Sequence, residues 1–351
     1  MNFTFSEEQL MAADTARQIL ADTCSPPQLR AQMAKCEARD AARWQALTDS
    51  GLAAILAPEA AGGMGLDAID FVQIAEACGY AALPEPLVEH AGVAVPLLAA
   101  TGHETPLLMD AATGKATIAV GHPINPFVAD ADTATALLMH HADQVYLLDA
   151  AQASLTHEPS IDPFRRLFRV DWTPASATRI ADAATGKLLW DDALDRAALF
   201  TAAQCLGLAQ RSVHLAVDYA KGRNQFGKPI GSYQAVKHLL ANVQVKIEFS
   251  RPVIHAAAAQ FEHRNAHTRA RISHAKLVAS EVADLAARTS IQVHGAMGYS
   301  WEVDVHFFLK RALALTYAWG NPALHRARVA ERVFRYPLGP EHTFSRKNLY
   351  V

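Results

Sequence analysis

Residues 219–238 read YAKGRNQFGKPIGSYQAVKH, a tight turn set between two long helical patterns. Upstream, within 198–221, Leu199, Ala203, Leu206, Ala209, Val213, Leu215 and Ala216 recur at helical spacing. Downstream, within 234–261, Val236, Leu239, Leu240, Val243, Ile247 and Val253 resume the pattern. Between them Gly222, Gly227, Pro229 and Gly231 interrupt regular structure, glycine admitting backbone conformations closed to other residues. They frame one basic and aromatic cluster, Arg223, Asn224, Gln225 and Phe226. Arg223 offers a planar fork of donors suited to a phosphate or pyrophosphate. On these residues alone the turn is either an anion site or a cap and loop joining two helices.

Working outward, 351 residues suffice for several structural layers and a sizeable core, and 51% hydrophobic content fits a packed protein. A net charge of −3 without a dense basic patch argues against a nucleic-acid partner. Cys24, Cys36, Cys78 and Cys205 form no CxxC pair and read as free thiols of a reducing compartment. The sixteen histidines contain no HExxH or paired metal spacing, so no metal site is expected. The acidic start and the lack of a long apolar run predict no signal peptide, no membrane span and a cytoplasmic location. Gly62, Gly63 and Gly65 open no βαβ unit, so they are no dinucleotide fingerprint, and the GK pairs at 114 and 186 are no P-loop.

The chain divides by texture. Residues 1–115 are predicted to be all helical. Ser6 caps a first helix, a second follows Pro26 and Pro27, and 44–50, 67–81 and 87–100 follow, the last kinked or stopped around Pro96. Residues 116–192 carry short β-rich runs at 116–120, 134–139, 144–148, 167–172 and 187–190, which predict a small β-domain. Residues 193–351 return to helix, with at least four helices of fifteen or more residues packed as a bundle and an irregular tail after Tyr336. The fold class is α+β in the order helical domain, β-domain, helical bundle.

The turn resembles the R-x-x-F-G-x-x-I/L-x-x-x-Q signature of the acyl-CoA dehydrogenase family, here Arg223, Phe226, Gly227, Ile230 and Gln234. Two further segments are similar to family motifs: QVHGAMGYSWEVDVHFFLKRAL at 292–313 and APEAAGGMGLDAIDFVQIAEACG at 57–79. The resemblance spans nearly the whole chain in order. It implies FAD, with Arg223 at the pyrophosphate, Phe226 and Gln234 with Gln225 near the adenosine part, and Gln292, His294, Gly295 and Gly298 approaching the FAD of a neighbouring subunit. It therefore implies a dimer or tetramer, homo- or hetero-oligomeric. It implies α,β-dehydrogenation of an acyl-CoA thioester, with an electron-transfer flavoprotein as acceptor.

Two departures matter. The chemistry needs a carboxylate base, and in most of the family a Glu supplies it from a loop whose counterpart here is Thr316, Tyr317, Ala318, Trp319, Gly320 and Asn321. Trp319 stands at that place, and indole cannot accept the α-proton. Other members place the Glu near a position matching Ala197. Asp195 is the nearest acid and lies two residues, about 200° of helix, off that register. Glu248 is a further buried-helix candidate, and Glu302 reads as structural. The family's T-E-P-x-A-G-S-D segment is also absent. The run AQASLTHEPSIDPFRRLFRVDW resembles a bacterial subgroup that includes subunits lacking the catalytic Glu, which pair with a complete subunit in steroid side-chain degradation. Three readings follow: a self-sufficient enzyme with a displaced base, a subunit whose partner supplies the base, or a flavin-free scaffold or acyl-CoA-binding protein of the same fold.

Overall fold

The computed structural model describes residues 4–35, 39–103 and 105–336, so Cys36 and the expected irregular tail lie outside the described residues. Helix α1 (Glu7–Thr23) starts in a capping box in which Ser6 and Gln9 satisfy each other's backbone amides. Helix α2 (Pro26–Ala34) carries proline in its first turn, and α3 (Ala41–Asp49) is capped by Asp40. Helix α4 (Ala68–Ala81) begins at a capping box on Asp67 and buries its apolar face from Phe71 to Cys78.

The apolar run at 87–100 stays helical throughout. Helices α5 (Leu87–Glu89) and α6 (Val95–Ala100) are joined by a π-helical stretch at His90–Ala94. Pro96 has no N–H for the i−4 carbonyl, so the turn before it widens where a kink or stop was expected. His90 is fully buried there; its Nε2–H donates to Ala111 O (2.9 Å) and its Nδ1 accepts from Ile118 N–H (3.1 Å). Burial holds this imidazole below its ordinary pKa, and the neutral ring ties α7 (Pro106–Ala112) to the first strand.

The middle part holds two small sheets. Strands β1 (Ile118–Gly121), β3 (Ala136–His141), β4 (Gln144–Asp149) and β7 (Thr178–Ala181) form one, ordered β1-β3-β4-β7, with β1 and β3 parallel. Strands β2 (Val128–Ala129), β6 (Leu167–Asp171) and β5 (Ser154–Glu158) form the other, antiparallel throughout. The period of two sorts the side chains. Leu137, Met139 and Leu148 meet Phe168 between the sheets, while Leu138, Val145 and Val120 join Trp190 and Trp319 on the helical side.

The expected strand at 187–190 is helix instead. It lies inside α8 (Ala183–Gly222), whose N-cap Asp182 accepts from Thr185 N–H. A short apolar run cannot tell a strand from a buried helical turn, and here Trp190, Ala193 and Ala197 continue at helical spacing onto the sheet. Helices α9 (Gln234–Ala258), α10 (Ala266–His294), α11 (Val305–Tyr317) and α12 (Pro322–Arg335) complete the bundle. The last two have 13 and 14 residues, shorter than expected.

Helices α4 and α8 touch backbone to backbone. A Cβ on Gly79 would stand 1.9 Å from Gln204 O, and one on Gly207 would stand 1.9 Å from Glu76 O. No side-chain movement relieves either clash, because both obstacles are main chain. Gly79→Ala is expected to part the helices and cost about 1–3 kcal/mol, read as a lower urea midpoint at unchanged slope.

Candidate functional site

The signature turn is a two-stranded hairpin at the end of α8. Strands β8 (Asn224–Gln225) and β9 (Lys228–Pro229) are joined by Phe226 and Gly227, both at positive φ (53° and 81°). That pair of angles suits a tight hairpin turn and requires a residue without a Cβ penalty at the second place. The hairpin is pinned at its base: Ile230 N–H donates to Arg223 O (2.8 Å), Tyr233 Oη–H to Gln225 O (3.1 Å), and Lys228 Nζ lies 4.4 Å from the centre of the Tyr233 ring. Its tip is bare, with Phe226 92% exposed. Arg223, Gln225 and Gln234 are exposed as well. Arg223 has no carboxylate within ion-pairing distance among the described residues, and Gln234 opens α9, whose N-cap Tyr233 supplies no side-chain acceptor. Free main-chain donors, a helix N-terminus and an unpaired guanidinium therefore share one surface.

The second motif meets the first at the same end of the bundle. Ala216 and Ala220 of α8, Leu240 of α9 and Val293 of α10 form one small core, with Tyr219, Ile230 and Val236 against it. His294 stacks on Tyr219, ring centres 4.2 Å apart, and its Nδ1–H donates to Ser290 O (2.7 Å). Burial keeps this imidazole below its usual pKa, and Nε2 is left as an acceptor. Gly295 sits at φ 59°, ψ −135°, a conformation open essentially to glycine, although nothing would crowd a Cβ there. Gly298 is needed for space, since a Cβ would stand 2.6 Å from Ile291 O. Gln292 points outward.

The loop matched by sequence to the family's base loop is closed. Trp319 is 1% exposed and held at φ 57°, followed by Gly320 at φ 99°. Its N–H donates to Asn125 Oδ1 (2.9 Å), its carbonyl accepts from His325 Nε2–H (3.0 Å), and its indole Nε1–H donates to Glu89 Oε1 (3.1 Å). Glu89 is ion-paired to Arg165 at 3.2 Å, and the His122 ring packs edge-on to the indole at 5.8 Å. His325 Nδ1 accepts from Ser273 Oγ–H (3.1 Å), and burial with the nearby Lys276 charge pushes its pKa down to about 4. Lys276 is buried; its Nζ donates to Ser280 Oγ (3.2 Å) and to the carbonyl of Thr316 (3.4 Å), so it caps α11 just ahead of this loop.

Asp195 is placed elsewhere. Its carboxylate lies between Arg328 NH2 (2.7 Å) and Arg269 Nε (3.2 Å), in a cluster that also pairs Asp191 with Arg269 (3.5 Å) and Asp192 with Arg264 (3.2 Å). Burial raises the Asp195 carboxyl against the pull of Arg328 and Arg269. No hydrogen bond or ion pair joins it to the Trp319 cluster among the described residues. Glu248, taken as a buried-helix candidate, has a side chain 56% exposed and hydrogen-bonded to Gln244 (2.8 Å), because it falls on the outer face of α9. Glu302 is exposed, and its carbonyl accepts from Arg30 (2.7 Å). Sequence reasoning missed Glu89, Asn125 and Arg165. For Glu89 a signal existed: it is the one acid in the apolar run LVEHAGVAVPLL.

Among the described residues no group of acids, histidines or cysteines could hold a metal ion, and no helix is long and apolar enough to cross a membrane. Comparison with known proteins adds sequence relatives. A family model described as acyl-CoA dehydrogenase, N-terminal domain, matches residues 6–105, and one described as acyl-CoA dehydrogenase, C-terminal domain, matches residues 186–334. Over 334 residues the chain is 32% identical to acyl-CoA dehydrogenase IpdE2 of Mycobacterium tuberculosis, covering 94% of this chain and 99% of that protein. Butyryl-CoA dehydrogenase from Megasphaera elsdenii superposes with a TM-score of 0.85 at 19% identity, covering 95% of this chain and 100% of that one. The ChsE4-ChsE5 complex from Mycobacterium tuberculosis gives a TM-score of 0.80 at 22% identity, covering 96% and 100%. At these identities the two structures speak for the fold alone.

Trp319→Phe keeps an aromatic ring at the site but removes the indole donor and leaves a small void, with Glu89 Oε1 accepting from Arg165 alone. It is expected to lower unfolding free energy by about 1–3 kcal/mol in urea titrations.

Proposed function

This chain belongs to the acyl-CoA dehydrogenase family, and from that premise we propose that it is the subunit of a hetero-oligomer that helps hold FAD while a second, complete subunit supplies the catalytic base. The sealed Trp319 loop carries this reading. At the place where most relatives carry their Glu, the side chain is an indole with its own donor committed to Glu89 and its backbone committed to Asn125 and His325. No carboxylate there is free to take an α-proton, and the Asp195 carboxylate is taken up by Arg269 and Arg328 away from this loop.

The residues present fit FAD. Arg223 supplies an unpaired fork for a pyrophosphate, Gln225, Phe226 and Gln234 flank it, and Gly295 leaves open space beside the main chain for close approach. When bound, FAD supplies the hydride acceptor for an acyl-CoA whose α-proton goes to the partner's base. In this chain Arg223 and the start of α9 neutralise and position phosphate, while Gln292, His294, Gly295 and Gly298 present donors, an acceptor and bare backbone to a cofactor shared with the neighbour. An electron-transfer flavoprotein is the proposed acceptor, and lipid or steroid acyl-CoA the proposed substrate class. The missing T-E-P-x-A-G-S-D segment favours a second reading, a flavin-free scaffold, which the intact turn opposes.

The test is the visible spectrum of the chain purified alone and after co-expression with a complete acyl-CoA dehydrogenase. The expected result is little flavin alone, with a stoichiometric flavin band and acyl-CoA-dependent dye reduction in the pair. Stoichiometric flavin with dye reduction by the chain alone, abolished by Asp195→Asn, would overturn it, and a colourless but active pair would favour the scaffold. In the pair Arg223→Ala is expected to lower flavin retention about tenfold or more, since a charge-assisted contact is lost, while Asp195→Asn, which breaks a buried ion-pair cluster, lowers the stability of the pair but leaves turnover per folded pair within about twofold.

A further inference from the structure

A cavity of about 560 Å³ opens between α1, α4 and α8, on a face that shares no lining residue with the hairpin or with the Trp319 cluster. Its floor is apolar: Leu20 and Cys24 of α1, Ala77 and Ala81 of α4, and Phe308 of α11. Its mouth is polar and crowded on one side, where Tyr80 Oη lies 2.9 Å from His214 Nδ1 and 3.3 Å from Arg211 NH1. The Arg211 guanidinium also covers the Tyr80 ring, 5.2 Å from its centre.

The charges around the mouth do not balance. Arg17 is paired with Asp14 at 2.6 Å, and the Glu76 carboxylate is taken up by Arg251 and by His255 at 3.7 Å. Arg211 is the exception: among the described residues it meets a phenol but no carboxylate within ion-pairing distance. A cavity of this size with an apolar floor and a few convergent polar groups has the form of a small-molecule site. A guanidinium braced by an aromatic ring and lacking a counter-ion selects an anionic head, above all a carboxylate that can accept two of its N–H groups.

We propose that this cavity binds an amphiphilic monocarboxylate, its hydrocarbon part on Leu20, Ala77, Ala81 and Phe308 and its carboxylate on Arg211. The site is separate from the flavin-holding surface and does not depend on it. Octanoate is the probe, with octanol as its uncharged counterpart. Calorimetric titration of the full chain, alone and in complex with the catalytic partner, is expected to give saturable octanoate binding in both. Arg211→Gln and the substitution of octanol are each expected to weaken it about tenfold or more. Ala81→Phe, which fills the cavity, is expected to abolish it, with circular dichroism showing that the variant still folds. Absence of saturable binding at millimolar octanoate, equal affinity for octanol, or indifference to Arg211→Gln would overturn the proposal. Binding by the chain alone that vanishes in the complex would overturn it too, marking the cavity as part of a subunit interface.

Discussion

The backbone contact between α4 and α8 sets the rest of the molecule. Helix α8 has 40 residues and so runs about 60 Å. Near its start Gly186 lies against the β3–β4 turn, where a Cβ would meet Asp143 O at 2.1 Å. Near its middle Gly207 and the facing Gly79 bring the N-terminal helices to main-chain distance. Its last turn delivers Arg223 to the hairpin. One rigid rod thus carries the β-domain, the helical domain and the signature turn, the first two docked through positions where a side chain would stand in the way.

How much of this was legible in the sequence follows from the kind of signal involved. Long periodic runs declared α4, the later part of α8 and α9 because burial of one helix face repeats over many turns. The hairpin was legible because its glycine and proline pattern is dictated locally. The run at 187–190 was misread because three apolar residues carry no period, and only the Asp182 cap marks the helix start. Strands β2, β5 and β7 were passed over because β2 is two residues long, β5 is largely exposed and β7 is half exposed, so none shows a buried alternation. Asp195 had the right chemistry on the right helix, but its partners Arg269 and Arg328 come from residues 74 and 133 positions away, beyond any local pattern.

The Trp319 loop shows a retained frame with altered content. A non-glycine residue in the left-handed region costs roughly 1–2 kcal/mol, and the loop keeps that conformation although the side chain there cannot act as a base. Three hydrogen bonds and a buried indole offset the strain. Glu89, from the π-helical junction, completes the seal by accepting from the indole while Arg165 holds its charge. An acid, a cation and an aromatic ring close on one another in this loop, leaving no free carboxylate within it.

The hairpin has the opposite character. Phe226 is 92% exposed and Tyr299, beside Gly298, is 84% exposed, on the one end of the bundle where Arg223 also lacks a counter-ion. Exposed aromatic rings leave apolar surface in water, and these positions are held by the turn angles, the Tyr233 hydrogen bond and the His294 stack. The Trp319 loop is closed on itself, whereas the hairpin end of the bundle is rigid and exposed.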